Sequence, residues 1–208
     1  ISAVLVFSMA FSSVFADDKP VVSAESAVVI DAMTGRVVYA KNENEKRPMA
    51  STTKIMTTLL CLESGNLDER FTVDSEAIKV EGSSMGLCEG DIVTKRILCY
   101  GMLLPSGNDA ANATAVKLAG DISSFSEMMN NRAKEIGMEN THFITPSGLH
   151  DEAHYSTAYD MAILTREALE NPDFSAICSE SEITTEYGNP PYRRTLYNTN
   201  KLLSLYDG

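Results

Sequence analysis

Helical signatures crowd the middle of this 208-residue chain, and β-rich sequence brackets them at both ends. That order restricts the possible folds more than any single residue does. Near the N-terminus, Val28–Ile30 and Val37–Tyr39 flank a turn at residues 31–35, with Gly35 suited to positive φ, which predicts a β-hairpin. Residues 51–64 follow as a helix with a broad apolar face of Ile55, Met56, Leu59, Leu60 and Leu62, capped by Ser51 or Thr52 and ended by Gly65. A second helix starts at Thr94 and stops at Pro105. A third, Ala-rich, runs from Asp109 to Gly120. A fourth carries Phe125, Met128, Met129, Ala133 and Ile136 on one face and ends at Gly137. The fifth has Thr157 as cap, Asp160 at its third position and Asn171-Pro172 as stop. The tail, "YRRTLYNTNKLL", alternates weakly and is expected to be a strand. The predicted class is therefore α+β, with an antiparallel sheet built from both chain ends and a helical subdomain inserted between them.

Acidic residues outnumber basic ones, 29 to 17, for a net charge of −12. A chain of that sign repels nucleic acid and anionic lipid, so neither is expected as a partner. The first residues stand apart. "ISAVLVFSMAF" is almost unbroken apolar sequence, and Val14-Phe15-Ala16 supplies the small residues that signal peptidase accepts. Residues 1–16 are expected to be a signal peptide lacking its basic start and residues 17–208 the exported domain, with an extracytoplasmic destination. Four cysteines in an exported chain invite a disulfide, but Cys61 and Cys99 fall in apolar helical sequence, where a thiol behaves as a small hydrophobe. No C-x-x-C spacing points to a metal.

Chemistry enters at "MASTTKIMTT", where Ser51 precedes Lys54 by one helical turn. Residues three apart share a face, so the lysine nitrogen reaches the serine hydroxyl. A lysine whose pKa is lowered by burial takes the proton that keeps a serine from being a nucleophile. Free N–H groups at the helix start favour the negative charge that results. Taken alone the pair is weak: S-x-x-K arises roughly once by chance in a chain of this length, and on those four residues a capping serine beside a solvated lysine is the better account.

Serine–lysine acyl-transfer sites need a further hydroxyl to pass the proton on and an amide to hold substrate, and S-x-N provides both. The triplet occurs at Ser64-Gly65-Asn66 and at Ser106-Gly107-Asn108. Ser64 lies on the same helix as Ser51, about 20 Å away at 1.5 Å per residue, so it belongs to the helix end. Ser106 lies on a tight connection between two helices, where a loop presents side chains to a cleft.

The stretches "IDAMTGRVVYAKNENEKRPMASTTKIMT", "LLPSGNDAANATA", "NTHFITPSGLHDEAHYSTAYDMAILTR" and "NTNKLL" together make the chain similar to the low-molecular-weight penicillin-binding proteins, the serine-type D-alanyl-D-alanine carboxypeptidases of bacterial cell-wall metabolism. The resemblance covers nearly all of the expected mature chain. It implies a β-lactamase/transpeptidase-like fold, with Ser51 acylated by the peptide stem, Lys54 as base, Ser106 in proton transfer and Asn108 on substrate. It implies substrates ending in D-Ala-D-Ala, β-lactam inhibitors and no cofactor. The family's third motif, K-T-G, is not found. Residues 205–208 fall about where its strand should begin, so the chain resembles a catalytic domain cut before that strand and before the segment through which the family meets the membrane.

Three other readings compete. A serine β-lactamase would use Glu127 and Asn130, spaced as in a deacylating base motif, though they lie in an amphipathic helix and Asn108 is preceded by Gly rather than Asp. A metallopeptidase would use His150 and His154 of "HDEAH", where the glutamate is misplaced for H-E-x-x-H. A non-catalytic peptidoglycan-binding protein would account for the missing third motif.

Overall fold

The computed structural model describes residues 20–205; the expected signal peptide lies outside the described residues. Helix α1 (Lys54–Glu63) sits at the centre, and a short 3₁₀ turn (Ala50–Thr53) leads into it. Eight of its ten residues are buried, from Lys54 through Leu62 with only Ile55 partly open. A helix apolar nearly all round has to be wrapped by others. Here α2 (Lys95–Leu103), α3 (Asn108–Ala119), α5 (Ala158–Glu170) and α6 (Pro172–Ser179) pack against it, and α4 (Ile122–Glu135) touches it as well. Two apolar clusters share the work. One joins Cys61, Leu62, Leu98, Cys99, Met102 and Phe174, the other Met56, Leu59, Phe125, Met129, Phe143 and Leu164.

Local chemistry sets the ends of these elements. Thr94 Oγ1 accepts from the Ile97 N–H (3.2 Å) and Thr157 Oγ1 from the Asp160 N–H (3.1 Å), as the sequence predicts. Asp121 caps α4 in the same way, through the Ser124 N–H (2.8 Å). The Asp160 carboxylate does not complete a capping box. It is buried and turned inward, where it accepts from the Asn140 N–H and the Thr141 hydroxyl, each at 2.7 Å. Asn171 ends α5 but also caps α6, accepting from Asp173 and Phe174 N–H groups, so Asn171-Pro172 starts a helix that the sequence reading takes for a stop. On α4, Phe125, Met129 and Ala133 are buried as expected, whereas Met128 is 37 % exposed.

Among the described residues the strands form three antiparallel pairs. They are β1 (Ala27–Ile30) with β2 (Val37–Lys41), β3 (Arg70–Thr72) with β4 (Ile92–Thr94), and β5 (Glu182–Gly188) with β6 (Pro191–Tyr197). The tail opens as the expected strand, β6, but its partner β5 is not assigned from the sequence, and its end is the short helix α7 (Leu202–Leu205) rather than strand. The class is α+β, as expected. Among the described residues, however, the hairpins at the two chain ends do not pair with each other, and Val29 and Val38 are more than half exposed. The four cysteines are free. Cys61 and Cys99 are fully buried and face each other between α1 and α2, where the hydrogen bond between them and burial push the Cys99 thiol well up.

The unequal burial of these apolar residues makes a stability prediction. Leu59→Ala opens a cavity against α4 and α5 and is expected to cost about 2–5 kcal/mol in urea unfolding. Val29→Ala on the open face of β1 should stay within about 0.5 kcal/mol.

Candidate active site

The N-terminal end of α1 gathers the predicted pair. Ser51 is exposed and Lys54 is only 2 % exposed. The Lys54 Nζ donates to Ser51 Oγ at 3.1 Å and to the Ser147 carbonyl at 2.8 Å. Ser51 forms no cap: the 3₁₀ turn begins at Met49 with no side-chain capping bond. Burial lowers the Lys54 pKa from its usual 10.5 to about 8, and the Asp109 carboxylate opposes that shift without cancelling it. The result is an amine poised to lose its proton near neutral pH, in contact with a hydroxyl open to solvent.

The second motif comes to the same end of the bundle because α3 packs on α1. Its Asp109 is close enough for its charge to act on Lys54. Asn108 is buried, and its amide donates to the Glu81 carbonyl (2.7 Å) while its backbone N–H donates to the Ser83 carbonyl (2.7 Å). Ser106 is half-buried, and among the described residues its hydroxyl makes no hydrogen bond, so the link from Ser106 to Lys54 is not formed here. Among the described residues four non-glycine residues hold positive φ, and two of them are asparagines, which tolerate it. The other two are Ala50 (φ 46°), directly before Ser51, and Ser106 itself (φ 62°). Backbone strain of this kind persists where the surroundings over-determine it, and it concentrates at functional sites.

Two segments that the sequence reading leaves without a role complete the surroundings. Residues 144–149 lie along α1. The Pro146 carbonyl accepts from the Thr57 hydroxyl (2.6 Å), Ser147 supplies its carbonyl to Lys54, and Gly148 (φ 86°) passes so close to the turn that a Cβ there would sit 1.9 Å from the Ala50 carbonyl oxygen. Loop 81–91 closes over the S-x-N motif. The buried Asp109 carboxylate accepts from Ser84 Oγ (2.6 Å) and from the N–H groups of Met85, Gly86 and Leu87, each at 3.0 Å. From the other side Tyr187 and Arg194 donate to the Met85 carbonyl (2.9 and 2.6 Å), and Tyr192 donates to Asp91 (2.7 Å). A carbonyl, a glycine passing over a backbone and an N–H nest leave no mark in side-chain spacing. Only Asp109, next to Asn108 and charged inside an Ala-rich helix, offered a signal.

The competing candidates are placed elsewhere. Glu127 is exposed on α4, and the Asn130 side chain is committed to the Phe143 backbone, donating at 2.8 Å and accepting at 2.8 Å. His150 is exposed, while His154 is buried and hydrogen-bonded to Thr53, so the two do not meet as a ligand pair. Among the described residues no group of three or more metal-ligating side chains converges. A cavity of about 530 Å³ lined by Ile30, Gly35, Asn140, Tyr159 and Arg166 shares no residue with the Ser51 cluster, so cavity size does not point to the chemistry.

The helical bundle flanked by antiparallel hairpins, with this site at the start of its central helix, has the penicillin-binding/transpeptidase fold. Solved structures agree. A Streptomyces DD-transpeptidase superposes with a TM-score of 0.85 at 34% identity over 91% of this chain and 79% of that one. A D-alanyl-D-alanine carboxypeptidase of Mycobacterium tuberculosis does so with a TM-score of 0.85 at 31% identity over 93% of this chain and 74% of that one. The profile of the D-alanyl-D-alanine carboxypeptidase family matches residues 13–207, and the chain belongs to that family. Among curated relatives, D-alanyl-D-alanine carboxypeptidase DacF of Bacillus subtilis is 38% identical over 192 residues, 89% of this chain and 49% of that protein. A Streptomyces D-alanyl-D-alanine carboxypeptidase is 34% identical over 206 residues, 91% of this chain and 71% of that protein. The chain spans about half the length of DacF and of the Escherichia coli relative DacD.

The burial of Lys54 is directly measurable. Its side-chain NMR signal should titrate with a midpoint near 8, well below the surface lysines. Because the folded pKa lies below the unfolded one, the unfolded chain binds more protons between about pH 8 and 10.5, so the Lys54 contribution to stability improves as pH rises across that window.

Proposed function

We propose that the protein is a cell-wall serine peptidase that removes the terminal D-alanine from peptidoglycan stem peptides through an acyl-enzyme on Ser51, and that penicillins acylate the same hydroxyl. The observation that carries this reading is the 3.1 Å contact between a buried lysine of lowered pKa and an exposed serine, in a chain of this family.

Lys54, in its neutral form, takes the proton from Ser51 Oγ, which attacks the carbonyl between the two terminal D-alanines. The Ser51 N–H lies at the start of the 3₁₀ turn, before the backbone bonds of that turn begin, and faces the oxyanion as it develops. Ser106 accepts the proton from Lys54 and delivers it to the departing D-alanine nitrogen. Asn108, whose Nδ2 is tied to the Glu81 carbonyl, holds the substrate amide through its Oδ1, which accepts from the substrate N–H. Water then attacks the acyl carbonyl, and Lys54 is again the base. The relatives, which include Escherichia coli D-alanyl-D-alanine carboxypeptidase DacD and an Escherichia coli D-alanyl-D-alanine endopeptidase, support this substrate class.

Export is part of the proposal. The substrate lies outside the cytoplasm, and residues 1–16 have the composition of a signal peptide. No helix among the described residues is long and apolar enough to cross a membrane.

Labelling of the full-length protein with a fluorescent penicillin tests the reading. Ser51→Ala should remove the label, and Ser106→Ala should slow labelling by about 10²- to 10⁴-fold, the usual worth of a proton-transfer group. The wild-type rate should rise with pH through about 8 as Lys54 loses its proton. Equal labelling of wild type and Ser51→Ala would contradict it.

A further inference from the structure

His154 is the one histidine of "HDEAH" that the structure buries, at 3 % exposed, and the proposed chemistry does not use it. Its ring joins two segments that both touch Lys54. The Nδ1 accepts from the Ile144 N–H at 2.9 Å, with the Thr145 N–H further off at 3.4 Å. A nitrogen that accepts carries no proton, so in the neutral ring the hydrogen is on Nε2. From there it points at Thr53 Oγ1, 2.8 Å away. Thr53 is the last residue of the 3₁₀ turn that contains Ser51, and it directly precedes Lys54. Ile144 opens the strip whose Ser147 carbonyl receives the Lys54 ammonium.

We infer that His154 is a positioning residue for acylation: as a neutral donor and acceptor it fastens the 144–148 strip to the Ser51–Lys54 turn, and so fixes Lys54 Nζ between Ser51 Oγ and the Ser147 carbonyl. The inference rests on the reading of Ser51 as nucleophile and Lys54 as base.

Three further observations support it. The strip has few other ties to the turn at this level: the Thr57 hydroxyl holds the Pro146 carbonyl one helical turn below, and Gly148 contributes contact without a hydrogen bond. The imidazole packs T-shaped with the Phe143 ring, 5.9 Å between centroids at 67°, which restricts the ring plane. Burial also holds the His154 pKa down, to about 4, with His142 and His150 adding to that effect and Asp151 opposing it. The ring therefore stays neutral where Lys54 works. A protonated ring would turn an N–H toward the Ile144 N–H and break the fastening.

The test measures penicillin acylation of the full-length protein, separating the rate constant at saturation from the non-covalent affinity, for wild type, His154→Ala, His154→Gln and Thr53→Val. His154→Ala should lower the acylation rate constant by about 10- to 100-fold, the scale of a displacement of roughly 1 Å at a reacting group, and leave the affinity within about twofold. The glutamine amide can donate to Thr53 as Nε2 does, so His154→Gln should recover most of the rate. Thr53→Val removes the same bond from the other side and should be as slow as His154→Ala, which decides the matter if His154→Ala does not fold. A folded His154→Ala or Thr53→Val protein acylated at the wild-type rate would overturn the inference. So would a loss lying wholly in affinity, or a folded His154→Gln protein as slow as His154→Ala. Failure of the wild type to label, or labelling that survives Ser51→Ala, would instead strike the function proposed above.

Discussion

One buried amine organises this protein. Lys54 enters the centre of a helical bundle with a single serine hydroxyl and a single backbone carbonyl as hydrogen-bond partners. A charged ammonium in that setting is costly, and the cost appears as a lowered pKa rather than as a compensating ion pair. The Asp109 charge acts in the opposite sense and is the weaker influence. Asp109 is itself occupied by three N–H groups and a hydroxyl of loop 81–91, so its carboxylate is satisfied without drawing the lysine into a salt bridge. Had the two met directly, the amine would be held charged and lost as a base.

The rest of the architecture follows from keeping that amine dry while leaving Ser51 open. Helix α1 has to be wrapped on nearly every side, which takes several helices and both apolar clusters. The 144–149 strip has to reach the helix end with its own backbone as the partner, and only a glycine at position 148 lets it pass over Ala50. Ala50 and Ser106 hold positive φ, one directly before the first motif serine and the other at the second, so backbone conformation helps to aim both serines. The β5–β6 hairpin contributes at a distance. Through Tyr187, Tyr192 and Arg194 it holds loop 81–91, and the loop holds Asn108.

Much of this was legible in the sequence, and the limits have physical reasons. Helices declare themselves by period and caps, so Thr94 and Thr157 were read correctly. Asn171-Pro172 is ambiguous in the sequence because an Asn-Pro pair serves equally as the end of one helix and the start of the next. The tail showed one weak strand, where Pro190-Pro191 and Gly188 in fact mark the turn of a hairpin. The S-x-x-K pair was visible, but its decisive property, an exposed serine beside a buried lysine, comes from how the other helices pack and not from the four residues. The Ser147 carbonyl, the Gly148 crossing and the nest around Asp109 are backbone features, to which side-chain spacing is blind. In the sequence His154 stands out only for a metal spacing it does not fulfil, and its environment belongs to Thr53, 101 residues away.

The most direct test of the account is a crystal structure of the full-length protein after reaction with a penicillin. The account requires continuous density from Ser51 Oγ to the opened lactam carbonyl, with Lys54 Nζ still on the Ser147 carbonyl and Ser106 Oγ brought to about 3 Å from Lys54 Nζ. An adduct on another residue, or an acylated Ser51 with Ser106 turned away from Lys54, would contradict it.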